Sequence, residues 1–482
     1  MQAGFAPGDT QEGFDRASGE AVYLSGVPGL ADGVYTLLPA HYALLPGAYA
    51  VKFDTGIAGV MPGQAYSRQD GVRIAAGYVT DTRNGAPKDA DWQGVEVMTR
   101  DQVRARSEFA LTRASDFYAG NPSRTQDAGL LSVSTSGSGV NALKLDADYG
   151  FAAAAGGRGA KVDISALKIA VTSGSPAGID PDAVVLDADK LNALGAESLL
   201  IGGTRSASGD TTILAVDAES VTLANDAAHA LQAGEIMLAA TDTLTLKSGS
   251  AINAQGATGD AGDYETAGNG AFVRAASTTA GFTRSGSPDR SQGTLVGEAG
   301  STVAAADSLA LDATLANDYQ GTATFAKNGV AVAGNLAVGA TRVNFGAAPT
   351  GAEGITYSQA ELDGFDLKSL ALTSYSTFDL YGDVRVGQLD ANGKPVMQSL
   401  VLQGAGLGGV DNAGQTAQLN AQNLTLANAA GVTFVPGGAL GSGDLAVTAD
   451  TLTLGAGDKA IQGFGAVTVT ANELVAATGT GT

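Results

Sequence analysis

Cysteine is absent from the 482 residues, which excludes disulfide staples, thiolate metal sites and cysteine nucleophiles. Positive charge is scarce, with 27 Lys and Arg against 49 Asp and Glu and a formal net charge of -22. Such a chain repels phosphate backbones and anionic lipid, so no nucleic-acid partner is expected. Aromatic residues supply 6% and charged residues 16% of the chain, poor material for long surface helices. The 44% hydrophobic content is nevertheless too high for disorder.

A long apolar run is also missing. The best candidate, Val34 to Val51, has 18 residues without a full charge, the lower limit for a spanning helix. Pro39 and Pro46 interrupt it, and each costs roughly 3 kcal/mol inside a helix. The chain is therefore expected not to span a membrane. The start, MQAGFAPGDTQEGFDRASGE, has no charged, apolar and small-residue succession of a secretory signal. Either the protein stays inside the cell or this chain is an internal piece of something longer.

What remains is glycine, 68 residues, and short alternating phrases, which together predict an all-β chain with many tight turns. The phrases ESVTL (219-223), DTLTL (242-246), DSLAL (307-311), KSLAL (368-372), QSLVL (398-402), QNLTL (422-426) and DTLTL (450-454) place apolar residues two apart. Period-2 spacing marks strands with one buried face. The predicted core is Leu244, Leu246, Leu309, Leu311, Leu370, Leu372, Leu400, Leu402, Leu424, Leu426, Leu452 and Leu454. Neighbouring phrases start 23, 65, 61, 30, 24 and 28 residues apart, close to one turn of a parallel β-helix or a small multiple of it. One turn cannot bury its leucines alone, so turns must stack. We therefore expect a β-solenoid over 126-482, with loop insertions around 247-306 where Gly, Ser and Thr concentrate.

Residues 1-125 differ, carrying most of the prolines and the sole Trp92. An irregular, extended region packing on or beside the solenoid is expected, with one short helix in the proline-free run RDQVRARSEFALTRASDF (100-117). The arginines 100, 104, 106, 113 and 124 read as a solvated face pairing with local carboxylates, or as contacts for an acidic glycan. The twin units Tyr35-Thr36-Leu37-Leu38-Pro39 and Tyr42-Ala43-Leu44-Leu45-Pro46, followed by Tyr49, are expected to be short extended pieces. Alternation places Tyr35 and Leu37 on one face, Thr36 and Leu38 on the other, with both faces covered.

The stretch VYLSGVPGLADGVYTLLPAHYALLPGAYAV (22-51), with SEFALTRASDFYAG (107-120) and ESLLIGGTR (197-205), resembles the filamentous-haemagglutinin-type exoproteins of Gram-negative bacteria. The likeness is to an uncharacterised conserved region toward their carboxyl end. It implies a right-handed parallel β-helix, an outer-membrane two-partner secretion transporter as partner, and display on the bacterial surface as a secreted adhesin in cell attachment or biofilm. Host-cell, bacterial or matrix ligands such as glycans are then expected. No catalytic residue transfers with the resemblance.

Chemical motifs are few. The histidines, His41 and His229, have no local partner pattern and read as structural. GAGLGG (404-409) follows a strand phrase, but no amphipathic helix follows it to hold a pyrophosphate; it reads as a solenoid corner. Asp260, Asp263 and Glu265, and Asp187 with Asp189, read as solvated carboxylates before calcium ligands. Neither a cofactor nor a metal is expected. The first expectation is a non-enzymatic adhesive segment. Its rivals are a β-helical polysaccharide lyase or hydrolase, with acid and base groups brought together only by stacking, and an export or toxin-delivery segment of the same exoprotein.

Overall fold

The computed structural model describes residues 20-38, 40-54, 56-57, 60-83, 86-87, 92-106, 127-147, 149-174, 178-256, 258 and 262-482. The chain is all-β, with short α-helices at Arg100–Arg106, Ala188–Ala193 and Gln359–Gly364 among the described residues. It divides into two compact units, Met1–Pro122 and Ser123–Thr482.

The first unit is a six-stranded sheet and not an irregular region. Its strand path runs Gly33–Thr36, Glu20–Ser25, Arg73–Asp81, Gln93–Thr99, Tyr49–Asp54, with Ala65–Ser67 pairing on Arg73–Asp81, all antiparallel. One face buries Val22, Leu24, Val51, Ala75, Val95 and Val97. These residues alternate along EAVYLS and GVEV, but their partners lie far along the chain, so no repeated phrase announces the sheet. The helix Arg100–Arg106 begins the run expected to be helical, while Arg113, Arg124 and residues 107-120 lie outside the described residues.

The twin YxLLP units part company. The first forms the strand Gly33–Thr36, and the second forms a 3-10 helix, Ala40–Leu44, a correction to two extended pieces. Tyr35 and Leu37 pack against the sheet core on one face, as alternation places them, and Tyr49 packs there too. Coverage of both faces does not hold: Leu38 is 41%, Tyr42 40% and Leu45 53% exposed, and Pro46 is exposed as well. Pro39 lies outside the described residues. The exposed residues lie past the end of Gly33–Thr36, itself the last strand of the sheet path, so no paired strand covers them.

In the second unit a 13-stranded sheet collects strands from Leu130–Ser134 to Phe464–Ala477. Its pairs are parallel except around Ala271–Ala276, which lies antiparallel between Glu235–Ala240 and Ser308–Ala313. Register aligns Leu131, Val162, Leu199, Ile236, Ala275, Leu309, Leu336, Leu370, Leu400, Leu424, Leu452 and Val475 across successive strands. Two residues on, a second row includes Ile164, Ile201, Leu238, Val273, Leu311, Leu372, Leu402 and Leu426. Full burial of each such side chain contributes about 1.5–3 kcal/mol, and a one-residue slip would expose a whole row.

Between visits to the long sheet the chain supplies strands to parallel neighbours. After Glu235–Ala240 it places Thr243–Leu246 in a second sheet and Ala251–Ala254 in a third; after Ser308–Ala313 come Ala316–Tyr319 and Thr322–Lys327 in the same two sheets. Beyond Val343 a further sheet built on Val343–Gly346, Phe378–Tyr381, Gly406–Val410 and Ala460–Gln462 stands beside the long one. Aliphatic side chains of these sheets meet those of the long sheet in two cores.

Two expectations are corrected here. Residues 247-306 are not a loop insertion, because they hold strands Ala251–Ala254, Asp263–Ala267, Ala271–Ala276, Phe282–Ser285, Thr294–Gly297 and Thr302–Ala305. Their small residues, such as Ala254, Ala275 and Ala305, are fully buried, so low bulk here reflects tight packing and not solvation. Of the predicted leucines, Leu244, Leu246, Leu309, Leu311, Leu370, Leu372, Leu400, Leu402, Leu424, Leu426 and Leu452 are buried, whereas Leu454 is 38% exposed. It ends its strand and faces only Ala477 on the next, too small a partner to cover it.

Candidate functional site

Charged residues inside apolar strands mark the place where the fold spends its polar chemistry. In KVDIS, GEIML, FVRAA and LALDA, the residues Lys161, Asp163, Glu235, Arg274 and Asp312 stand on the face opposite the leucine rows. A four-stranded sheet of Gly203–Ser208, Thr211–Val216, Asp263–Ala267 and Phe282–Ser285 covers part of that face. Leu214 and Tyr264 from it pack on Leu200, Met237 and Phe272.

Three separate hydrogen-bonded clusters take up the buried charges, the first two of them under this cover. Arg205 donates to Asp163 through Nε at 2.6 Å and to Ser198 Oγ at 2.7 Å. Ser198 donates in turn to Glu235 at 2.5 Å. Tyr264 donates to both Glu235 oxygens, at 2.9 and 2.8 Å, and Arg274 donates to Glu235 at 2.7 Å and to Ser308 Oγ at 2.7 Å. Further along, Arg284 and Tyr375 both donate to Asp312, at 2.6 Å each, and Arg342 donates to Asp379 at 2.7 Å. Each of these charges is buried, so each needs its partner. Burial would raise Glu235, but Arg274 and the bonds from Ser198 and Tyr264 hold its carboxyl below the ordinary value. For Asp163 burial dominates and pushes its pKa up despite Arg205.

Where the first cluster reaches the strand Lys161–Ser165, the covering sheet leaves a cavity of about 340 Å³ lined by Asp127, Gly129, Leu130, Arg158, Gly159, Lys161, Arg205, Ser206, Ala207 and Thr212. Register puts Lys161 beside Ser198, which is beside Glu235, so the cavity is the open end of the buried row. Its cations differ in availability. Arg158 holds Glu197 through Nε and Nη2, both at 3.3 Å, and Arg205 is engaged as above. Among the described residues Lys161 forms no ion pair, since the nearby Glu197 and Asp163 carboxylates bridge to the two arginines. Burial, and then the positive charges of Arg158 and Arg205, lower the Lys161 pKa. Among the described residues, the arrangement leaves one ammonium without an ion pair in a concave place whose arginines are already matched. Sequence reasoning missed it, although Glu197 and Arg205 stand in ESLLIGGTR; the only signal was a charged residue inside an otherwise apolar strand.

The groups singled out from sequence go elsewhere. Asp187 caps the helix Ala188–Ala193, accepting from Lys190 N at 3.0 Å. Asp263 accepts from Gly281 N at 2.8 Å, and Asp260 lies outside the described residues. No cluster of three metal-ligating side chains occurs among the described residues. In GAGLGG, Gly404 and Ala405 make the bend between Ser399–Gln403 of the long sheet and Gly406–Val410 of its neighbour, and the other glycines belong to that second strand. Its glycines permit close approach, since a Cβ on Gly406, where φ is 137°, would lie 1.8 Å from the Ala460 carbonyl oxygen. Gly406→Ala is therefore expected to cost about 1–3 kcal/mol or more in denaturant unfolding through overpacking and backbone strain.

His229 does find partners, by folding. Its Nδ1 lies 2.9 Å from Asp226 and its Nε2 3.6 Å from Asp189; Ser173 donates to Asp226 at 2.9 Å and not to the imidazole, which is no nucleophile arrangement. The bond to Asp226, then the charge of Asp189, raises the His229 pKa, while the bonds from His229 and Ser173 take Asp226 down to about 2. A raised histidine stabilises fully below its unfolded value of 6.5 and loses this as pH rises through its folded pKa. A depressed Asp226 stabilises above 3.8 and loses this as pH falls toward about 2. An NMR titration of the imidazole is expected to give a pKa above 6.5, moved back toward that value in Asp226→Asn; an unmoved value would dissolve the pairing.

No helix among the described residues is long and apolar enough to cross a membrane. Comparison with protein-family models, curated proteins and solved structures finds no match to this chain.

Proposed function

We propose that the second unit is a parallel β-helix, right-handed as the family resemblance implies, serving as a non-enzymatic adhesive segment of a secreted filamentous-haemagglutinin-type exoprotein. The observation that carries the fold is the recurrence of three successive strands in three separate, largely parallel sheets, as in Ser308–Ala313, Ala316–Tyr319 and Thr322–Lys327, with successive visits to the long sheet stacking aliphatic on aliphatic side chains. Such stacking yields a stiff scaffold whose ends and covering segments carry contacts. The surface role rests on the YxLLP, SEFALTR and ESLLIGG phrases, and with it come the secretion transporter and the extracellular site. The glycan-cleaving reading requires accessible converging acids and bases, whereas Asp163, Glu235, Asp312 and Asp379 are buried and bridged to arginine.

Beads coated with the purified chain are expected to adhere to cells or extracellular matrix, and soluble chain to compete. Adherence equal to that of uncoated beads, or release of new reducing or unsaturated ends from acidic glycans, would turn the reading toward delivery or catalysis.

A further inference from the structure

We propose that the cavity around Lys161 binds a single acidic sugar residue, its carboxylate on the Lys161 ammonium and its hydroxyls on the polar wall. Four observations converge. The ammonium brings hydrogen-bond donors that no described carboxylate takes in an ion pair, while the flanking guanidinium groups of Arg158 and Arg205 are held by Glu197 and Asp163. Their charges are matched there, which leaves Lys161 as the cation for one ligand charge, with the Asp127 carboxylate also on the wall. The wall includes Thr212, whose side chain shares the Arg205 face of the hairpin, and Asp127, with apolar surface from Leu130. That combination suits a ring bearing one carboxylate and several hydroxyls. The volume, about 340 Å³, falls in the small-ligand range. Finally, the net charge of -22 penalises polyanions more than a monoanion, so the sugar acid is favoured over oligophosphates.

The geometry is also prepared. Lys161 begins a strand paired on both sides, to Leu130 and to Ser198, and Arg205 is locked by bonds to Asp163 and Ser198. Little side-chain ordering is then left for binding to oppose, apart from Lys161 itself. A bound carboxylate also offsets the mutual repulsion of the cations. As the ligand class of an adhesive surface, the inference rests on the proposed function for its use, but the binding stands independently of it.

The test is isothermal titration of the full chain with glucuronate, glucose, acetate and inorganic phosphate, repeated with Lys161→Gln and Thr212→Val. Glucuronate is expected to bind with a Kd on the order of 1 mM, glucose not measurably, and acetate at least tenfold more weakly. Lys161→Gln is expected to weaken glucuronate at least tenfold, with unchanged circular dichroism and melting temperature. Thr212→Val is expected to weaken glucuronate and leave acetate unaffected. Glucuronate affinity unchanged in Lys161→Gln overturns the site. Acetate or phosphate matching glucuronate overturns the sugar and leaves a bare anion site. Should Lys161→Gln abolish sugar binding without altering bead adherence, the adhesive use of the cavity fails while the site survives. Bead adherence by a chain that binds no glucuronate overturns the site and leaves the adhesive reading standing.

Discussion

Replacing Arg274 with alanine is expected to destabilise the protein by about 3–5 kcal/mol at neutral pH, measured as a shift in the denaturant midpoint at constant slope. Arg274 is 2% exposed and donates to Glu235 and Ser308. Without it Glu235 stays buried, supported only by Ser198 and Tyr264. The sharper test is the sign of the pH dependence. In the native protein the Glu235 pKa lies below its ordinary 4.5, so its contribution is present above that value and is lost as pH falls through the folded pKa. Removing Arg274 takes away the largest influence opposing burial, so in Arg274→Ala the Glu235 pKa is expected to rise above its ordinary value. Stability then falls as pH rises from 4.5 through the new pKa. A double replacement, Glu235→Gln with Arg274→Met, is expected to recover most of the loss, because the uncompensated charge and not the missing attraction is the main cost. A single variant that behaves alike at acidic and neutral pH contradicts this explanation.

Leu400→Ala is expected to cost about 2–5 kcal/mol, and Leu454→Ala clearly less. Both are leucines of the same xLxL pattern, so sequence assigns them equal weight. Leu400 is fully buried between Leu370 and Leu424 in the parallel register, and truncation leaves a cavity that neighbours on both sides cannot close. Leu454 is already 38% exposed and loses less apolar area. Because stacked strands interact chiefly with their neighbours, the Leu400 change is also expected to increase amide exchange first in Leu367–Ser374 and Thr416–Ala427. Exchange rising uniformly over the chain would show instead that the unit unfolds as a whole.

The leucine rows were legible because a strand's period is two and these strands need one apolar face: DTLTL and QSLVL state their own burial. The antiparallel sheet of the first unit was less legible, since Glu20–Ser25 finds Arg73–Asp81 across a long intervening segment and each strand alone is unremarkable. Residues 247-306 were misread for a different reason. Gly, Ser and Ala are common both in loops and where strands pack too closely for larger side chains, and only the neighbours decide which applies. Gly406 illustrates it, required by an oxygen of Ala460, 54 positions away in the numbering.

Local alternation and glycine content determined by themselves that this is an all-β chain held by aliphatic rows. They also determined which leucines line those rows, with Leu454 the exception, because periodicity and burial are properties of a single strand. The tertiary structure alone decided where charge resides. Asp163, Glu235 and Arg274 look like solvated strand residues until the sheet of Gly203–Ser208, Thr211–Val216, Asp263–Ala267 and Phe282–Ser285 covers them. Lys161 becomes distinctive only because neighbouring carboxylates are taken by Arg158 and Arg205. Whether a charge is paired, buried or available depends on distances between strands remote in sequence, and Coulomb interaction and desolvation follow distance and burial.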